Sequence, residues 1–135
     1  MRLFLNKAIK SANRLREQLQ KRLDLEEEKR AEADQVFVHK VKTSSSALRG
    51  EARHVQLTTQ GGPGGSSEVL RFMLDRIDEK GDPLLPPIAI EMRGRISGIL
   101  SEGHHVRILD SWKPGQTLHP ERLFNETTSA VVRRS

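Results

Sequence analysis

The stretch "IAIEMRGRISGIL", Ile88 to Leu100, constrains the fold more than any other part of this chain. Ile88, Ile90, Met92, Gly94, Ile96, Gly98 and Leu100 share one parity, and Ala89, Glu91, Arg93, Arg95 and Ser97 hold most of the other. A repeat of two is the signature of a strand with one face on a core. A strand this long must bend to stay on a small core. Gly94 and Gly98 sit on the inward parity, where a missing side chain permits a sharp coil or bulge.

The neighbouring segments follow the same period. "GEARHVQLTT" reads as a strand with Val55 and Leu57 facing one way and His54, Gln56 and Thr58 the other. In "EVLRFMLDRI", Leu70, Phe72 and Leu74 alternate with Arg71, Met73 and Asp75, and "DEKGDP" turns the chain. "SEG" makes a second turn, "HHVRIL" returns, "KPGQT" turns again, and "LHPERLFNETTSAVV" supplies the closing strand. "VFVHKVK", from Val36, reads as a strand or extended lead-in. The expectation is a mainly β body from about Ala47 to Val132: a small barrel of five or six antiparallel strands, whose closure removes its edges. "GGPGGSS", Gly61 to Ser67, is flanked by strands of one sheet and so reads as a mobile hairpin loop rather than a linker.

Before this body the pattern is helical. Residues 3 to 33 contain neither Gly nor Pro and are rich in Leu, Ala, Glu, Lys, Arg and Gln. Leu5, Ala8, Ile9, Ala12, Leu15, Leu19 and Leu23 recur at steps of three or four, which makes one apolar stripe. The polar face is basic first (Lys7, Lys10, Arg14, Arg16, Lys21, Arg22) and acidic later (Asp24, Glu26, Glu27, Glu28). The expected division is an amphipathic helix over 1–35 and a β-barrel domain over 36–135. The stripe suits packing on the protein's own body, on a copy of itself or on a partner helix. Its acidic end opposes anionic lipid.

Composition closes several other routes. There is no Cys, which excludes disulfides, thiolate chemistry and Cys-based zinc sites and fits a reducing, cytoplasmic setting. No apolar run approaches the ~18 residues of a membrane helix, so no membrane partner is expected. The basic N-terminal run passes into "DLEEEKRAEAD" without a cleavage-like break and is read as mature protein. Asn125 begins a glycosylation sequon, which has no meaning without a secretory signal. The net charge of +5 favours acidic partners.

"RGRISGILSEGHHVRILDSW" resembles the centre of an OB-fold, the Greek-key barrel of single-stranded nucleic-acid-binding proteins. That family's middle strand leads into Gly-x-Leu-x-x-Gly-Asp-x-Val-x-Val. The matching residues are Gly98, Leu100, Gly103, Val106 and Ile108, with His104 in place of the Asp. The resemblance covers roughly Gly50 to Val132. It implies a Greek-key barrel whose ligand crosses the middle of the sheet between the loops after the first and fourth strands. By position these loops are "GGPGGSS" and "SWKPGQT".

The residues that suit such a face are Arg71, Arg93, Arg95 and Arg107, all on outward parity, with Trp112 as the stacking platform. Arg53 shares a parity with Val55 and joins them only if its strand bends. Aromatic residues are scarce: four Phe, one Trp and no Tyr, with Phe72 on the core parity. Trp112 also suits closing one end of the barrel. His104 and His105 point apart on extended backbone, and no carboxylate cluster completes a metal site. "GGPGG" lacks the Lys and Ser/Thr of a phosphate-binding loop, and no nucleophile elbow is present. The expectations are therefore no enzyme activity, no cofactor and no metal. The function expected is binding of single-stranded DNA or RNA. The alternative is an assembly module whose helix mediates homo-oligomerisation or docks a protein partner.

Overall fold

The computed structural model describes residues 2–62 and 65–135, with side chains from residue 9 onward. Pro63 and Gly64 of the glycine-rich turn lie outside the described residues, as do the side chains of Leu5, Lys7 and Ala8. Among the described residues there are one helix and seven strands. They run α1 (Arg2–Thr43), β1 (Leu48–Gly62), β2 (Gly65–Ile77), β3 (Pro83–Gly94), β4 (Ile96–Ser97), β5 (His105–Ile108), β6 (Arg122–Asn125) and β7 (Ala130–Arg134). By internal packing the chain divides into one unit ending at Phe37 and a second from Val38 to Ser135.

α1 runs further than expected. "VFVHKVK" is helical, not extended, because Phe37 and Val41 are also spaced for one helix face, and Val41 is fully buried in the second unit. Valines two apart fit both periods in so short a window. The helix stops at the Ser run: the Thr43 hydroxyl donates to the His39 carbonyl (2.8 Å) and the Ser44 amide to that of Lys40 (2.9 Å). Lys40 and Lys42 stand in the last turn, where positive charge suits the helix dipole.

The strands form one sheet in the order β3-β2-β1-β5-β6-β7-β4, and every paired neighbour is antiparallel. The expected five or six strands are seven, and the sheet is not closed into a barrel. "LHPERLFNETTSAVV" makes a second hairpin, β6–β7, in place of one closing strand, because "ETTS" turns the chain at Ser129 (φ 55°). The long strand behaves as its glycines demand. It pairs with β2 as far as Gly94, bends, and pairs with β7 from Ile96. Gly94 has φ 137°, and a Cβ there would stand 2.4 Å from the Ser135 carbonyl oxygen. Gly98 has φ 102°, with Val131 O only 2.7 Å from where a Cβ would be.

"GGPGGSS" is mostly ladder rather than loop. β1 and β2 stay in register through Gln60↔Ser67, Gly61↔Ser66 and Gly62↔Gly65. The core lies on the inward face. Leu70, Phe72 and Leu74 meet Ile88, Ile90 and Met92 from β3, with Val106, Ile108, Leu123 and Val132 completing it.

Candidate functional site

A bulge in β1 shapes the outward face. Arg53 pairs with Met73 and Gln56 with Arg71, so two residues of β1 oppose Phe72 alone. His54 takes the left-handed conformation (φ 54°) that such a bulge requires. The freed amide of Val55 donates to the Glu102 carboxylate. Because of the extra residue, Arg53 and Gln56 both lie on the outward face, while Val55 packs on the core. This is the bend that brings Arg53 to the side of Arg71.

Three strands then set out one polar surface. Gln56, Arg71 and Glu91 stand in one row, Arg53, Met73 and Ala89 in the next, and Arg93 lies opposite Val69. Glu91 is the hub. Its Oε2 accepts from Arg71 Nε at 2.8 Å and its Oε1 from Arg93 Nε at 2.6 Å. These bonds hold its carboxyl below the usual carboxylate range, Arg93 contributing most and Arg71 next, against the opposing effect of burial. The two guanidinium groups are half exposed, while Glu91 is only 16% exposed. The cluster therefore carries a net positive charge outward, with Nη donors at its surface.

The segment before β6 builds a wall beside it. Leu118 bridges to β3: its amide donates to the Ala89 carbonyl and its carbonyl accepts from the Glu91 amide, both at 2.9 Å. Thr117 thereby lines an open groove with His54, Gln56, Arg71, Met73 and Glu91. His119 Nδ1 comes within 4.0 Å of Glu91 Oε1. Met73 and Ala89 give the groove an apolar floor.

The other expected site residues stand elsewhere. Arg95 follows the bend at Gly94 and is exposed, its backbone paired with Ser135. Arg107 faces Arg49 of β1, seven residues from Gln56, the neighbour of Arg71. That is roughly 20 Å along the strand. It pairs with Glu126 and donates to the Lys42 carbonyl (3.2 Å). Trp112 packs against the core, its indole N–H donates to the Gln116 carbonyl (2.8 Å), and the Arg76 guanidinium covers its ring at 4.7 Å. The fold thus brings Arg71 and Arg93 together, with Arg53, but not Arg95, Arg107 or Trp112. Glu91 and His54 were missed. Glu91 was legible as the acid between arginines of one parity; His54 was not, because a bulge depends on the pairing partner.

His104, which departs from the family turn, serves as an acceptor: Nδ1 receives the Ser101 amide (3.2 Å) and the Asn125 side-chain amide (2.9 Å). The acceptor role is one a carboxylate could fill. Asn125 is fully buried, and its Oδ1 accepts from the amides of Thr127 and Thr128, so the sequon is a structural turn. Among the described residues no group of His, Asp and Glu is placed to hold a metal ion, and no helix is long and apolar enough to cross a membrane.

Compared with known protein families, with curated proteins and with solved structures, the chain matches none.

Proposed function

We propose that the protein binds single-stranded nucleic acid, without catalysis, across the outward face of β1, β2 and β3. The observation that carries this reading is the clamp at Glu91. It holds two guanidinium groups on one face through Nε, which orients their planes and leaves the Nη atoms as donors for phosphate oxygens. The apolar floor of Met73 and Ala89 suits a base laid flat, and His54, Gln56 and Thr117 offer hydrogen bonds to base edges. An open, OB-like arrangement of the strands is the finer reading of the fold. It is supported by the one bent strand that pairs with β2 before Gly94 and with β7 after it.

The test is binding of fluorescent single-stranded DNA and RNA across a salt series, for the natural chain and for Arg71→Ala with Arg93→Ala. Two lost phosphate contacts should lower the magnitude of the log K against log salt slope by about 1.4. Arg107→Ala, on the distant Glu126 pair, should leave the slope unchanged. An unaltered slope in the double variant would remove this face from the site, and no binding by the natural chain at low salt would end the reading.

A further inference from the structure

The first unit is a helix with an uncovered apolar face. Ile9, Leu15, Leu19, Leu23, Leu25 and Val36 are each more than half exposed. Scattered exposed apolar residues such as Leu25 and Val36 need no explanation, but Ile9, Leu15, Leu19 and Leu23 share one helix face over 15 residues, about 22 Å of helix. A helix this long owes little of its stability to propensity alone and is ordinarily held by packing of its apolar stripe.

Its charge shows what fits there. Residues 1–23 hold seven Lys or Arg and one Glu, a net +6; residues 24–37 hold six Asp or Glu and two Lys or Arg, a net −4. A parallel copy would set the basic half against the basic half and the acidic against the acidic. An antiparallel copy sets each against its opposite. One register also does this beside the stripe: with the two-fold axis at Lys21, Arg16 comes level with Glu26 of the second copy, and both flank the leucine face. In the same register Leu19 comes level with Leu23 on either side of the axis, so apolar contact and charge agree at the centre of the pair.

We propose that α1 pairs with α1 of a second copy of this chain as an antiparallel two-helix coiled coil centred near Lys21. The interface is isologous, so one helix supplies both the basic and the acidic partner, and the assembly closes as a dimer.

The experiment uses the full chain and sedimentation equilibrium at micromolar concentration. The expected species is a dimer, and a monomer or a higher oligomer overturns the proposal. Leu19→Ser with Leu23→Ser should weaken association by about 100-fold or more. Charge reversal then separates pairing from loss of helix. Arg16→Glu and Glu26→Arg should each weaken self-association, and an equimolar mixture of these two single variants should recover dimers, because the heterodimer restores opposite charge at both sites. Failure of the mixture to recover overturns the register. Because the chain has no Cys, a spin label on Ile9→Cys reports direction. Antiparallel helices place the two labels about 36 Å apart along the axis, whereas a parallel pair places them about 10 Å apart and overturns the proposal.

Discussion

Glu91 decides how the outward arginines behave. Two guanidinium groups would repel each other across neighbouring positions; a carboxylate between them turns the pair into one oriented, still cationic cluster. The same contacts give it a signature in stability. Its carboxyl titrates below the ordinary value in the folded state, so the stabilisation is fully present above the unfolded value of about 4.3 and is lost as pH falls through the folded one. Glu91→Gln should therefore flatten the dependence of the unfolding midpoint on pH below about 4.3 and lower stability at pH 7. Thermal unfolding at a series of pH values checks this, and identical acid limbs for both proteins would show that the arginines do not hold the carboxyl. Both arginines are half exposed, so the effect at pH 7 should be modest.

β1 owes its geometry to one bulge. The ladder to β2 runs in register on both sides of it, and the misfit is confined to His54 and Val55. The bulge exposes Arg53, turns Val55 inward and gives the groove its histidine. The conformation of His54 is one that glycine adopts freely and a β-branched residue resists. His54→Gly should leave stability within about 0.5 kcal/mol of the natural chain, because relief of strain offsets added chain entropy, while His54→Val should cost about 1–2 kcal/mol. Urea unfolding measures both. Equal stability of the two variants would mean that the bulge is not held in the folded protein.

For the molecule, two units imply two separable tasks. The second unit contains its own core, including Val41 from the last turn of α1, and every strand of the sheet. Deleting residues 1–37 should leave a body that unfolds in one cooperative step, monomeric by sedimentation, with its nucleic-acid affinity per chain retained. A shortened chain that stays dimeric would move the association surface to the sheet. One that is unfolded would show that the body depends on the helix.

Local chemistry made much of this readable in advance. Gly94 and Gly98 announced the bend of the long strand, because only a residue without a side chain fits φ above 100° beside another backbone. Strict alternation named Leu70, Phe72, Leu74, Ile88, Ile90 and Met92 as core, and the stripe of α1 was visible from its spacing. Other features depend on which segment lies alongside, which parity along one strand does not contain. The helical state of "VFVHKVK" follows from burial of Val41 in the second unit. The outward turn of Arg53 follows from the misfit between β1 and β2, the separation of Arg107 from Arg71 from the registers of β5 and β2 on β1, and the capture of two arginines by Glu91 from the pairing of β2 with β3. Periodicity reports which face a residue occupies; only the pairing of distant segments sets which charges meet on it.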